Sequence, residues 1–194
     1  MNFNNSTIVS KTTSIVKIKI IAVKFLVILL LVQPTYLFAK GTYQQPEDFI
    51  SEAFKEQQPE EKLILIKGDL LKQVEKILQH RLKGKRIRYW EKDNRSVWVL
   101  EEIGKKKPIT VGIIIDNDSI AQLKVLAFRE TRGWEIRYPF FTKQFNQVSL
   151  TADKTLSKTI DGISGATLSV RALRKLANIA LLLNSTTQNR IAQK

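Results

Sequence analysis

Four short runs rich in β-branched and aromatic residues constrain this chain most. Ile87 to Trp90 and Val97 to Leu100 flank Asp93-Asn94-Arg95, and Ile109 to Ile115 and Ile120 to Phe128 flank Asp116-Asn117-Asp118. Asp/Asn-rich turns between strand-like runs predict hairpins. Gly104-Lys105-Lys106-Lys107-Pro108 joins the two pairs. An antiparallel sheet of about four strands follows. Helical periods surround it. Gln45-Pro46-Glu47-Asp48-Phe49-Ile50 opens a short helix with proline in its first turn, and Asp69 is placed to cap a second over Leu70, Leu71, Val74, Ile77 and Leu78. Pro139 starts a third with Phe140, Phe141, Gln144 and Phe145. A last helix spans about Leu168 to Leu183, with Val170, Leu173, Leu176, Ala177, Ala180 and Leu181 on one face. The expected class is α+β, a sheet packed with helices.

The N-terminus reads as an export signal. Lys11, Lys17, Lys19 and Lys24 precede or interrupt an apolar stretch, Phe25 to Val32 is unbroken, and Ala39 is a plausible last residue before cleavage. An uncleaved anchor from Ile18 to Phe38 is the alternative. The expected division is 1–39 as signal or anchor, 40–85 as a helical segment without assigned role, 86–184 as the functional domain, and 185–194 as a polar, frayed tail. Net charge is +14, and removing those four lysines from 32 basic residues leaves 28 against 18 acidic. Arg81, Lys83, Lys85, Arg86 and Arg88 form one cluster and Lys105 to Lys107 another. Export argues against nucleic acid. A solvated basic face is the default, and attraction to anionic headgroups or an acidic redox partner is the functional reading.

Asp161-Gly162-Ile163-Ser164-Gly165-Ala166-Thr167 runs straight into the last helix. Unpaired N–H groups at a helix start, with small residues around them, can cradle a phosphate, and a threonine there can contact or be esterified to it. The same residues also read as an ordinary capped helix, with Ser164 or Thr167 as N-cap.

The segment resembles the Asp-x-x-Ser/Thr-Gly-Ala-Thr motif of the FMN-binding domain found in sodium-translocating NADH:quinone reductase, in the Rnf electron-transport complex and in small periplasmic flavoproteins. The resemblance reaches from about Ile109 to Leu183. Glu130-Thr131-Arg132-Gly133 stands where that family has a Glu-Thr-Pro-Gly-like loop, with Arg132 replacing the proline, and Phe140 to Phe145 matches its Phe-rich helix. It implies FMN joined by a phosphoester to Thr167 through a dedicated FAD:protein FMN transferase. Asp161, Gly162, Ile163, Ser164, Gly165 and Ala166 would surround the attachment, and Glu130, Thr131, Gly133 and Trp134 would contribute from the neighbouring loop. Trp134, Phe141 and Ile163 are candidate walls for the flavin ring, although core packing is the expected role of Phe141. Glu130 and Thr131 are candidate hydrogen-bonding groups for the ring or ribityl chain, or plain turn residues.

Composition fits a flavin better than other redox centres. The chain has no cysteine and one histidine, His80. Those counts exclude a cysteine-ligated iron–sulfur cluster, a C-x-x-C-H haem and a disulfide. His80, beside Arg81, is expected to cap a helix C-terminus. No hydrolase constellation stands out. The sequence therefore predicts an exported, periplasmic electron-transfer flavoprotein with a membrane or periplasmic redox partner. A membrane-anchored component of a redox complex, and a basic exported binding module without a redox cofactor, are the alternatives.

Overall fold

Residues 41–55 and 57–192 are described in the computed structural model. The expected signal or anchor, 1–39, lies outside them. The elements in order are α1 (Pro46–Ala53), β1 (Glu61–Leu65), α2 (Gly68–Leu78), β2 (Arg86–Lys92), β3 (Arg95–Ile103), β4 (Pro108–Asp116), β5 (Ser119–Phe128), a 3₁₀ turn (Trp134–Arg137), α3 (Pro139–Thr142) with a 3₁₀ extension (Lys143–Phe145), and α4 (Thr167–Ala192).

The five strands form one antiparallel sheet in sequence order. Both expected hairpins close on two-residue loops, with Lys92 opposite Arg95 and Asp116 opposite Ser119. In the second, Asn117 and Asp118 both take positive φ, the turn whose twist matches the strands it joins. A bidentate pair, Arg95 Nε and Nη2 to the Asp116 carboxylate at 2.8 and 2.7 Å, ties the hairpins together.

The sheet is covered on both faces. Trp98, Leu100, Ile113, Ile115, Leu123 and Val125 face α2 and α4 in the main core. Trp90, Val97, Ile114 and Leu126 face the short α1 through Phe49, Ile50 and Ala53. Strand β4, flanked by β3 and β5, is therefore buried from Ile109 to Ile115, and its near-continuous apolar run is the sequence trace of two covered faces. Gly112 is the seat for α1, since a Cβ there would lie 2.4 Å from Phe49 Cε1.

The expected α+β class, an antiparallel sheet packed with helices, is what forms; four details within it differ. The sheet has a fifth strand, β1, whose Glu61–Leu65 run pairs with β2 as an edge. The second helix starts at Gly68 after Lys67 without a side-chain cap; Asp69 lies in its first turn and pairs with Lys72. His80 does not cap that helix. Gln79 ends it in a left-handed conformation, and His80 Nε2 instead meets Glu102 at 3.1 Å. The last helix does not fray at Asn184 but continues to Ala192, because Asn184 and Thr187 are buried and Asn184 bonds Ser96 and Asp118.

Candidate flavin site

Thr167 is the first residue of α4. The loop before it makes a tight turn in which the Ala166 N–H donates to the Ile163 carbonyl at 3.0 Å and Gly165 takes φ +80°. That φ suits glycine, because a side chain is disfavoured in the left-handed region. Neither Ser164 nor Thr167 supplies a side-chain cap. The first bond of the helix is from the Val170 N–H to the Ala166 carbonyl at 2.9 Å. Among the described residues, nothing accepts from the N–H groups of Thr167, Leu168 or Ser169. These three donors stand at the positive end of a 26-residue helix, where an anion is favoured. The Thr167 side chain is exposed beside them.

Two further segments are locked onto this loop. Gly133 is buried at φ +86°, and a Cβ on it would lie 2.8 Å from Ser169 Oγ and 3.3 Å from Ala166 Cβ. Its backbone thus lies directly on the first turn of α4. Gln144, after α3, accepts the Asp161 N–H at 2.7 Å. Three stretches distant in sequence, 133–134, 144 and 161–169, therefore meet. Asp161, Gly162, Ser164 and Gly165 are exposed, Ile163 is half-buried against the core, and Ala166 is buried.

An aromatic strip begins immediately after Gly133. Trp134, Tyr138 and Phe140 are 41%, 37% and 64% exposed. Trp134 meets Tyr138 edge-on at 5.5 Å, and Tyr138 leads to Phe140 at 6.4 Å. The Arg137 guanidinium lies over Tyr43, Trp134 and Tyr138 at 4.5, 5.4 and 4.9 Å. Its buried Nε has no hydrogen-bond partner among the described residues. Ile136, Phe141 and Phe145 from the same stretch are fully buried. Phe141 is thus core, as its expected role had it, whereas Trp134 remains available as a wall.

Glu130 is engaged elsewhere. Its Oε1 accepts the N–H groups of Lys105 and Lys107 at 2.7 and 2.8 Å, and that of Lys106 between them. Desolvation pushes this carboxyl up, but the three backbone N–H groups together outweigh it and hold the pKa below the usual value. Glu130 therefore shapes the 104–108 turn. Thr131 and Arg132 are exposed beside it.

Sequence reasoning missed Gln144, Arg137, Tyr138, Phe140 and Ser169. The aromatic spacing of Trp134, Tyr138 and Phe140 was the available signal. It lacked the burial of Ile136, Phe141 and Phe145, which turns the other aromatics outward.

The donor set, the glycine-lined approach and the aromatic strip fit a phosphate attached to a flat, mostly apolar ring system. Residues 104–182 match the family model described as the FMN-binding domain. That match, confined to residues 104–182, supports a flavin-binding protein. No curated protein matches the sequence.

Proposed function

We propose that this chain is an exported flavoprotein that holds FMN through a phosphoester to Thr167 and passes electrons in a redox chain outside the cytoplasm. The observation that carries this reading is the start of α4, where an exposed threonine hydroxyl sits beside three backbone donors with no acceptor among the described residues. In the attachment step FAD is the donor substrate of an FAD:protein FMN transferase. The Thr167 oxygen bonds to the FMN phosphorus, the pyrophosphate bond breaks, AMP leaves, and the hydroxyl proton goes to a base of the transferase. The flavin, when bound, supplies the electron-transfer chemistry.

The remaining work belongs to this chain. The N–H groups of Leu168 and Ser169 orient the phosphate, and exposed Gly165, with open space where a Cβ would sit, lets it approach. Trp134, Tyr138 and Phe140 offer ring faces and edges for stacking. Arg137, held over three rings, brings a fixed positive charge to that strip. Covalent attachment suits an exported compartment poor in free FMN. It also lowers the phosphate charge placed against protein.

Co-expression with the transferase in an exporting host should add the mass of one FMN phosphoester, with yellow colour and in-gel fluorescence. Thr167→Ala should abolish the adduct. An adduct that survives in that variant overturns the attachment site. Asp161→Ala should remain folded with little flavin, and full flavinylation would make Asp161 an ordinary loop residue. Amino-terminal sequencing separates the two locations: a start near Lys40 supports a released periplasmic protein, and an intact Met1 in the membrane fraction supports the anchored form.

A further inference from the structure

Strands β2 and β3 pair only from Tyr89 opposite Trp98 to Lys92 opposite Arg95. Beyond that point the sheet forks. Arg86 to Arg88 stay with β1 on their outer side, Ile87 opposite Ile64 and Arg88 opposite Leu63. Val99 to Ile103 stay with β4, from Val99 opposite Gly112 to Ile103 opposite Pro108. Among the described residues, no backbone group pairs across the gap between these two stretches. A cleft of about 1390 Å³ fills the fork. It is lined by Arg86 to Arg88 on one side and Val99 to Ile103 on the other, with Leu78, Leu82, Leu176 and Ile179 along it.

Each strand edge carries alternating N–H and C=O groups, so an occupant must answer donors and acceptors on two sides at once. An apolar small molecule cannot do that, whereas an extended peptide can. Taking strand spacing, sheet spacing and rise per residue together, a strand occupies about 160 Å³ per residue, so five residues opposite Val99–Ile103 need about 800 Å³. The whole cleft, which also runs on to residues 46–50 and 58–61, exceeds that volume. Charge sets the polarity of the occupant. Lining acids Glu61, Glu101 and Glu102 are already paired, with Arg88, Arg129, and His80 plus Lys175. Among the described residues, Arg81, Lys83 and Arg86 have no ion-pair partner, and Lys85 adds a fourth cation to that short segment. Glu47 and Glu60 are the lining acids without a partner, and they come from other segments.

We infer that the fork is a receptor slot for an extended segment of a partner protein, apolar at alternate positions and acidic at the end that meets residues 81–86. Leu176 lies nine residues beyond Thr167 on the same helix, about 14 Å along its axis. A peptide in the fork therefore leaves the start of α4 uncovered while docking its owner beside it. The inference does not depend on the flavin.

The test uses the full chain and a synthetic capped hexapeptide, valine alternating with threonine and ending in glutamate. Saturable binding should slow hydrogen exchange at least tenfold at alternate amides in both Arg86–Arg88 and Val99–Ile103. The same peptide methylated at its backbone nitrogens should not bind. Arg81→Glu with Arg86→Glu, both exposed positions, should weaken binding at least tenfold without shifting the melting temperature, and a lysine-ended peptide should recover part of the loss. Equal binding of the methylated peptide would make the cleft a plain apolar pocket and overturn the inference. So would binding without protection of both strands, or no saturable binding at millimolar peptide.

Discussion

A methyl group at position 133 would sit 2.8 Å from Ser169 Oγ and 3.3 Å from Ala166 Cβ, on a backbone already at φ +86°. Gly133→Ala should therefore cost about 1–3 kcal/mol, the usual range for a strained left-handed residue. It should also push the 133–134 segment away from α4. Thermal melting and flavin yield after co-expression should fall together, and an unchanged yield would detach this loop from the site. His80 gives a second prediction at this scale. The Arg81 carbonyl and the Glu102 carboxylate raise its pKa above 6.5, against burial and the neighbouring Lys175. A raised folded pKa means stability that is fully present below pH 6.5 and lost as pH rises through the folded value. Urea midpoints should therefore fall between pH 5.5 and 8.5 by more in the native chain than in His80→Gln, and equal falls would refute the coupling. The glycine was legible as a loop residue in the sequence, but its contact with α4 was not. The partners of Glu130 lie 23 to 25 residues away, and that of His80 lies 22 away, beyond the reach of local pattern.

At the scale of elements, the four strands after residue 86 were readable because turn residues sit between alternating or fully apolar runs. Strand β1 was not. Only Ile64 of its five residues is buried, so Lys62-Leu63-Ile64-Leu65 carries neither a strand period nor a helical one. The end of α4 failed for the opposite reason. Asn184, Ser185, Thr186 and Thr187 look like a polar tail, yet Asn184 bonds Ser96 and Asp118, and the three hydroxyls donate back to carbonyls of the same helix. Trp98 Nε1 donates to Ser96 Oγ at 2.8 Å, Ser96 donates to Asn184 Oδ1 at 2.7 Å, and Asn184 Nδ2 donates to Asp118 Oδ1 at 2.9 Å. Asn184→Leu would remove the acceptor of a buried hydroxyl, at a cost of about 1–3 kcal/mol. Combined with Ser96→Ala, which also takes the acceptor from Trp98 Nε1, the loss should be smaller than the sum of the two single losses, because the Ser96–Asn184 bond is counted in both. Denaturation curves of the two single variants and the double variant would show strict additivity if the chain of bonds did not exist.

Across the whole molecule, the densest cation clusters are separate from the proposed flavin site. The loop at Asp161 to Thr167 is mostly small residues and the strip mostly aromatic, with the single Arg137 guanidinium over its rings, whereas the runs of cations are Arg81–Arg88 and Lys105–Lys107. The second cluster has two separable functions. Its three backbone N–H groups bind Glu130 and fix the 104–108 turn, while its side chains are exposed. Replacing Lys105, Lys106 and Lys107 by serine removes the charge and leaves those N–H groups in place. Flavin content and thermal stability should then match the native chain. Exposed charges act over about 8 Å at physiological salt and govern encounter more than final affinity. If the cluster steers an acidic partner or an anionic headgroup, electron transfer to the flavinylated protein should slow as salt rises, and the serine variant at low salt should resemble the native chain at high salt. Rates that ignore both salt and the substitution would reduce the cluster to solvated surface. Encounter would then have to run through the exposed aromatic strip of Trp134, Tyr138 and Phe140.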